Sequence, residues 1–468
     1  MTRVSLALGL VFLCACHPRT LEPDETPPAS GGASGGAHGG TSGGAHGGTS
    51  GGDPTPVTGA GGVATGAAGA RPPTTTGSGG SAPDPVATPL VVHEWGTFTS
   101  VGNSAGVLME GLHHEEEALP AFVHGRAAMV SALPGGVTPT GEKSMETQPI
   151  GVTQKMETPV LYFYGGAAKG LRVRVDFPTG VVSQWYPSSA GFGPALGTVT
   201  VPKAGFMEWR FDLAPGLSTG AFPAVAADDI WAPSRNVASV PVVVGGESEQ
   251  FIFYRGLGAF ELPLSMTLDA GDNITIQNRS SDTSPAVFLL RVHPGGGAII
   301  ELGPLPGGGV LSNIPSPVGG KEHDLDVYVA DAQQKIATAL EATGLYADEA
   351  RAMVDTWSKS YFKSDGLRIL YVVPRAWTDK LLPLTVEPTP TAVVRTLVGR
   401  VELLAPSEER ALLARAADAT TRALAPADVI NALGRLAEPK LRRALQLATD
   451  AAVRSWTERA ITTAASGP

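Results

Sequence analysis

The chain has 468 residues and a formal charge of -10, and 43% of its residues are hydrophobic. This composition suits a soluble protein with a hydrophobic core, and the length allows two or three domains. The acidic balance, without any run of Lys and Arg, argues against a nucleic-acid partner, because phosphate binding needs concentrated positive charge.

The N-terminal residues have the pattern of a bacterial lipoprotein signal peptide. After a short positively charged start, residues 4–13 form an apolar run that is too short to span a bilayer. The Leu-Cys-Ala-Cys sequence that follows resembles a lipobox, in which residues 1–15 are removed and Cys16 becomes the lipidated first residue. An ordinary signal peptide that contains cysteines is the alternative. We expect acyl chains on Cys16 to anchor the protein to a membrane.

The cysteine content fits this interpretation. The chain has two cysteines, Cys14 and Cys16. If cleavage removes Cys14, the mature protein keeps the lipidated cysteine alone and can form no internal disulfide, even in an oxidising compartment. The stability of the fold must then come from burial of the core.

Residues 16–88 are predicted to be a disordered tether. They are rich in Gly, Ser, Ala, Thr and Pro, and the sequence SGGAHGGT occurs twice in succession. Such a composition cannot bury enough apolar surface to offset the chain entropy lost on folding. The expected location is the cell envelope. His17, in place of an aspartate after the lipidated cysteine, favours the outer membrane over the inner one.

Residues 89–320 are predicted to form a β-rich domain. Residues 171–177 and 206–213 alternate between apolar and polar side chains, which puts one face of each strand on a core and the other in water. Residues 160–164 and 251–254 are apolar on both faces and are predicted to be central strands. Many short strands separated by Gly and Pro predict an antiparallel β-sandwich or a barrel-like domain.

After residue 320 the spacing of apolar residues becomes helical. Residues 321–404 are predicted to be a mixed α/β segment packed on the β-rich domain. This segment contains predicted helices at 324–343 and 346–362, a predicted strand at 367–373, and an ambiguous stretch at 393–404 that favours a strand.

Residues 405–468 are predicted to be a helical C-terminal unit. Pro406, Pro426 and Pro439 each mark the beginning of a helix. The last of these helices has one apolar face, formed by Leu441, Leu445, Ala448, Ala452 and Trp456. The chain as a whole is therefore predicted to be an α+β protein, with a β-rich domain followed by a smaller helical C-terminal region.

One cluster of residues has the chemistry of a metal site. Its candidate ligands are His93, His113, Glu117 and His124. Imidazole and carboxylate ligands suit zinc and other transition metals. The spacing differs from H-E-x-x-H, so it does not indicate a metalloprotease helix. The alternative is an acidic loop between strands that binds no metal.

A second candidate site combines aromatic rings with polar side chains in loop-like stretches. Its residues are Trp185, Tyr186, Trp231, Arg235, Asn236 and Arg255. Aromatic faces beside planar donors are typical of a groove that binds a sugar or a peptide. Packing of these aromatic residues in the core or at its rim is the alternative.

Six blocks of the chain resemble those of a family of uncharacterised secreted bacterial proteins. The blocks are HEWGTFTS at 93–100, METPVLYFY at 156–164, SQWYP at 183–187, FYRGLGAFELPL at 253–264, VDTWSKSYF at 354–362 and LYVVPRAWTD at 370–379. The resemblance covers residues 91–404, and the N-terminal segment is similar to that of myxobacterial lipoproteins. It implies common ancestry and assigns no activity and no functional residue.

Two functions remain open on the sequence. The first is a cell-envelope lipoprotein that binds an envelope component, a glycan or a protein, through its β-sandwich. The second is a secreted metal-dependent enzyme, a hydrolase or an oxidase, that uses the cluster from His93 to His124.

Overall fold

The computed structural model describes residues 89–114, 118–126, 149–195, 201–316, 322–358 and 360–466. The predicted signal peptide, the predicted tether, Cys16 and Glu117 lie outside these residues. Within the described part, none of the helices is long and apolar enough to span a lipid bilayer.

The strands of the N-terminal part are β1 Val91–Gly102, β2 His124–Gly125, β3 Gln154–Met156, β4 Val160–Tyr164, β5 Ala168–Phe177, β6 Gly180–Tyr186, β7 Gly191–Gly193, β8 Gly205–Leu213, β9 Val242–Val244 and β10 Glu247–Glu249. They continue with β11 Ile252–Gly258, β12 Leu264–Leu268, β13 Ile274–Asn278, β14 Ser284–His293, β15 Gly296–Leu305, β16 Val310–Ile314, β17 His323–Asp324, β18 Gly366–Val372, β19 Leu384–Glu387 and β20 Ala392–Leu403.

The α-helices begin after the main run of strands. They are α1 Leu325–Glu341, α2 Ala347–Trp357, α3 Arg375–Leu381, α4 Pro406–Thr421, α5 Pro426–Leu433, α6 Ala437–Leu447 and α7 Ala451–Ser466. Short 3-10 turns lie at Thr219–Ala221, Ala232–Asn236 and Gly434–Leu436.

The largest sheet has the strand order β17-β15-β14-β18-β20-β1-β3-β11-β6-β2, with β4 paired to β1 and β11. Its pairs are antiparallel except β1 and β20, which run parallel from Val91 opposite Ala392 to Gly102 opposite Leu403. Strand β1 carries the HEWGTFTS block and lies in the middle of this sheet. Because both of its faces are covered, all its residues after Val91 are buried.

A second sheet packs on one face of the large sheet. Its order is β10-β9-β8-β5-β19, with β7 paired to β8. Buried residues alternate along β5 and β8, so the predicted period of two is confirmed. The first hydrophobic core joins the two sheets and contains Phe163 and Leu289 from the large sheet and Val173 and Trp209 from the second.

The opposite face of the large sheet is covered by α1 and α2. This second core contains Tyr162 and Leu290 from the sheet, Tyr328 from α1 and Trp357 from α2. The small sheet β12-β13-β16 contributes to the first core instead. Two sheets with helices on the outer face of one give the layered arrangement expected for an α+β fold.

The C-terminal helices α4 to α7 form a third core against the ends of several strands. Val101 of β1 and Leu257 of β11 pack there with Leu441 of α6 and Trp456 of α7. The predicted α+β fold, with a β-rich domain followed by a helical C-terminal region, is confirmed.

Two details differ from the sequence prediction. Strands β18 and β20 lie between β14 and β1, so Gly366–Val372 and Ala392–Leu403 form the middle of the large sheet, whereas β19 between them pairs with β5 of the second sheet. The helix predicted from Pro439 is two helices, α6 and α7, because the chain leaves the helical conformation at Ala448. Asp450 then accepts hydrogen bonds from the amides of Ala452 and Val453 and begins α7.

Candidate functional site

His93, the first of the predicted metal ligands, belongs to a buried hydrogen-bond network. Its Nδ1 atom lies 2.7 Å from Oε2 of Glu349 on α2, and the Tyr164 hydroxyl donates to the other oxygen of that carboxylate at 2.8 Å. The Tyr346 ring packs against the imidazole at a centroid distance of 4.5 Å. His93 is 2% exposed. Because it lies on β1 and Glu349 lies on α2, this buried network links α2 to the large sheet.

His113 and His124 have other carboxylate partners. His113 lies 3.2 Å from Glu438 of α6, and its Nε2 donates to the Pro149 carbonyl at 2.9 Å. His124 pairs with Glu247 instead. Glu117 lies outside the described residues.

The three described histidines therefore belong to separate clusters, each with its own glutamate. Among the described residues there is no group of three or more His, Cys, Asp or Glu side chains placed to hold a metal ion. The structure does not bring His93, His113 and His124 together around one point, because each packs against a different element.

A cluster around His124 has the residue types of a hydrolase triad but not its geometry. The Ser188 hydroxyl lies 3.1 Å from Nε2 of His124, and Oε1 of Glu247 lies 2.8 Å from the same nitrogen. An activating triad needs the serine and the carboxylate on opposite ring nitrogens. Burial raises the pKa of Glu247, but hydrogen bonds from Ser188 and the neighbouring His124 outweigh it and hold that pKa below its usual value. The cluster therefore anchors an ionised carboxylate.

The predicted aromatic groove is not formed as one surface. Trp185 packs in the first core, whereas Tyr186 and Trp231 pack in the second, because adjacent residues of a strand point to opposite faces. All three are at most 4% exposed. Their rings serve the packing of the two cores.

The polar residues of that predicted groove are also separated. Arg235 binds the buried carboxylate of Glu249 with an N–O distance of 2.6 Å, and Asn236 beside it is exposed. Arg255 is buried, and its Nε donates to the Glu157 carbonyl at 2.9 Å. Arg255 thus belongs to a different charged region, which the sequence analysis did not single out.

That region borders a cavity of about 670 Å³ between the large sheet and the C-terminal helices. We call this cavity the charged pocket. Its described lining contains five positive side chains, Arg291, Arg368, Arg400, Arg435 and Lys440, and three negative ones, Asp365, Glu402 and Glu408. In a chain with a net charge of -10, this lining has a positive balance.

The floor of the charged pocket is a triad of buried ions on two neighbouring strands. Arg368 of β18 lies opposite Glu402 of β20, and Arg400 projects from the same face of β20 two residues earlier. The Nε atoms of Arg368 and Arg400 lie 3.0 Å and 2.6 Å from Oε1 of Glu402. The Arg400 guanidinium also stacks on the Tyr361 ring at 4.1 Å. Two guanidinium groups therefore share one carboxylate.

The arginines determine the ionisation of Glu402. Burial alone raises its pKa, but the charges of Arg368 and Arg400 and the hydrogen bond from Arg400 outweigh burial, so the pKa is lowered. Glu402 is therefore ionised at neutral pH.

Arg435 forms part of the wall on the side of the C-terminal helices. Gly434, with φ of 67°, ends α5 in a conformation that favours glycine and leads into the turn that carries Arg435. The guanidinium binds Glu157 at 2.8 Å. Burial raises the pKa of Glu157, but the positive charges of Arg435, Lys155, Arg255 and Arg400 hold it well below its usual range.

The second wall residue is Lys440 of α6, whose Nζ lies 3.3 Å from Oε1 of Glu408. Burial raises the pKa of Glu408, and Lys440 offsets only part of that increase. The charged pocket thus contains one carboxylate that is firmly ionised, Glu402, and one that is more easily protonated, Glu408.

Beside the floor lies a hydroxyl with no hydrogen-bond partner among the described residues, that of Tyr328 on α1. Tyr328 is fully buried. Burial and the negative charge of Glu402 raise the pKa of its hydroxyl, whereas the positive charges of Arg368 and Arg400 lower that pKa. These interactions place the hydroxyl within electrostatic range of the ion triad. A buried polar group of this kind usually has a partner, such as an ordered water molecule.

Sequence reasoning missed the charged pocket because its residues come from distant segments. One signal was present, since Arg400 and Glu402 interrupt the largely apolar second half of β20 at alternate positions. Opposite charges on one face of a largely apolar strand indicate buried, paired ions.

Comparison with known proteins gives no assignment. No protein-family model and no curated protein matches this sequence. Among solved structures, the yeast delta-COP-I mu-homology domain complexed with a Dsl1 WxWxV peptide is similar with a TM-score of 0.21 and 7% sequence identity, over 68% of this chain and 97% of that chain. A TM-score this low carries no argument about function.

Proposed function

We propose that the protein is a cell-envelope lipoprotein that binds an anionic envelope component in the charged pocket. Lipidation of Cys16 supplies the membrane anchor in this proposal, with the outer membrane favoured. The observation that carries the proposal is that positive side chains outnumber negative ones in the described lining of a cavity of about 670 Å³, in an acidic protein.

The arrangement of the charges supports an anionic ligand. A concave site lined by one predominant charge concentrates ligands of the opposite charge, because its low-dielectric walls focus the field. The volume of about 670 Å³ lies within the range typical of small-molecule sites. Arg291 and Lys440 are partly exposed in this lining, so an anion in the cavity would contact them directly.

The alternative of a metal-dependent enzyme has less support. It requires His93, His113 and His124 to converge, and each has its own glutamate partner. A stoichiometric transition metal in protein purified without a chelating tag, lost in His93→Ala and in His124→Ala, would favour this alternative.

A thermal-shift experiment at low ionic strength tests the proposal. Inorganic phosphate, citrate and galacturonate are added in turn to the full chain, with neutral galactose at the same concentrations. A ligand that binds only the folded state stabilises it by about 2.7 kcal/mol when present at 100 times its Kd. We expect at least one anion to raise the melting temperature and galactose to leave it unchanged.

Two variants test whether the anion that raises the melting temperature binds in the charged pocket. Lys440→Gln removes a partly exposed charge from the pocket, and Arg422→Gln removes the same charge from an exposed position directly after α4. The shift should fall in Lys440→Gln and persist in Arg422→Gln. If no anion shifts the wild-type protein, or if both variants respond equally, the proposal is wrong.

A further inference from the structure

The lining of the charged pocket is mixed rather than uniformly cationic. Asp365, Glu402 and Glu408 border the same cavity as the arginines and Lys440. Carboxylates repel the second and third charges of a phosphate-rich ligand, because like charges at short range disfavour each other in a site of low dielectric. The pocket therefore suits a ligand of low total charge better than a polyphosphate or a nucleotide.

The negative and neutral polar groups match hydroxyls. A carboxylate accepts hydrogen bonds and donates none when ionised, and a sugar hydroxyl can donate to it. Ser364, Ser407 and Asn431 line the same cavity and can both donate and accept. A ligand with several hydroxyls would bind these groups together with Glu408, whose side chain is partly exposed.

The positive groups match a carboxylate. Guanidinium groups bind planar carboxylates in a bidentate way, and an ammonium group such as that of Lys440 adds a point charge. The cavity of about 670 Å³ is large for a single inorganic anion and falls in the range of sites that enclose small organic molecules.

We infer that the ligand is a uronic acid unit of an acidic polysaccharide, a ring that carries one carboxylate and several hydroxyls. This inference rests on the proposed function and narrows its ligand class. The carboxylate of the sugar lies toward the partly exposed Arg291, Arg435 and Lys440, and its hydroxyls lie toward Glu408 and the neutral polar groups.

Isothermal titration of the full chain tests this inference. The ligands are trigalacturonate, the neutral trisaccharide galactotriose, galactose 1-phosphate and inorganic phosphate, all at one low ionic strength. Trigalacturonate should bind about tenfold or more tightly than each of the others, and Lys440→Gln should weaken it by about tenfold, equivalent to the loss of one charge contact. Arg422→Gln should bind like the wild type.

Glu408→Gln gives a second, independent readout. It removes the negative charge that disfavours phosphate, so galactose 1-phosphate should gain affinity relative to trigalacturonate.

If phosphate ligands bind more tightly than trigalacturonate to the wild type and depend on Lys440, the uronic acid inference is overturned while the anion-binding function stands. If no ligand of the panel binds, both are overturned. If trigalacturonate binds equally to the wild type and Lys440→Gln, the charged pocket is not its site.

Discussion

Glu157 and Arg435 are 278 residues apart in the chain, and their side chains form an ion pair with an N–O distance of 2.8 Å. Glu157 directly follows β3 of the large sheet and is 2% exposed, and Arg435 lies in the turn between α5 and α6. The pair joins the β-rich part of the protein to its helical C-terminal region at the border of the charged pocket.

Glu157→Gln should therefore destabilise the whole protein. Removing one partner of a buried ion pair typically costs about 3 to 5 kcal/mol, because the remaining charge stays desolvated without its counter-charge. Equilibrium denaturant unfolding measures the change. Glu261→Gln is the control, because it makes the same substitution at an exposed position. A loss as small as that of Glu261→Gln would show that the ion pair does not hold the two regions together.

The stability of the protein should decrease in acid. The pKa values of Glu157 and Glu402 are lowered from an ordinary value of 4.5, so their contribution to the free energy of unfolding is present above that pH. It is lost as the pH falls through the lower pKa values of the folded state, because the unfolded chain binds protons first. Melting temperatures measured from neutral pH down to about pH 3 should fall most steeply below about pH 4.5.

Glu157→Gln provides the internal control for that pH dependence. With one of the two carboxylates replaced, the acid-side slope of stability against pH should be smaller than in the wild type. An unchanged slope would mean that Glu157 is not held ionised by the arginines around it.

His93→Ala and His124→Ala should destabilise the protein independently. His93 is buried on Glu349, so its loss leaves a desolvated carboxylate and should cost about 3 kcal/mol. His124 and Glu247 are both partly exposed, so His124→Ala should cost about 1 kcal/mol. Without a shared partner, the double variant should lose the sum of the two within about 0.5 kcal/mol.

This double-mutant cycle separates the two interpretations of the histidines. A metal ion bound by both would make the second substitution nearly neutral after the first, since either one would already release the ion. Urea unfolding of the wild type, both single variants and the double variant completes the cycle, and strong non-additivity would favour the metal site.

Gly399→Ala should destabilise the centre of the large sheet. A Cβ atom on Gly399 would lie 2.5 Å from the Tyr371 ring and 2.8 Å from the Phe98 ring, both of which are buried. Overpacking of this kind typically costs about 1 to 3 kcal/mol. Gly246→Ala is the matched control, because nothing lies within 4 Å of its Cβ position, and it should change stability by less than about 0.5 kcal/mol. Equal melting temperatures for the two variants would contradict the close packing at Gly399.

Cys16→Ser should abolish membrane anchoring, whereas Cys14→Ser should preserve it. The lipobox interpretation makes Cys16 the acylated residue and places Cys14 in the removed segment. Metabolic labelling with palmitate, followed by intact-mass measurement of the membrane fraction, checks both variants. Recovery of the native chain with Met1 intact and no acyl mass at Cys16 would refute the anchor.

Local patterns predicted the parts of the fold in which one face of an element is buried. The alternation in β5 and β8 and the apolar run of β4 correctly indicated half-buried and central strands. The ambiguous stretch 393–404, for which a strand was favoured, is strand β20, and it contains Arg395, Arg400 and Glu402. In the structure these charges are buried, and Arg395 binds Glu94 at 2.5 Å across the parallel pair of β20 and β1.

Local sequence patterns could not predict the candidate site, for a related reason. Trp185 and Tyr186 are adjacent in the sequence and resembled a groove, yet alternation along β6 sends them into different cores. Arg368, Arg400 and Lys440 are far apart in the sequence and meet only because β18 and β20 pair and the C-terminal helices cover their ends. Pairing between distant segments is a property of the tertiary fold, so composition and spacing did not reveal it.

The most direct test of the charged pocket is a crystal structure of the full-length protein grown or soaked with trigalacturonate. We expect density for one sugar ring inside the cavity, with its carboxylate within hydrogen-bond distance of Arg291, Arg435 or Lys440. Ordered trigalacturonate bound at another surface, with the cavity holding only water, would contradict this expectation.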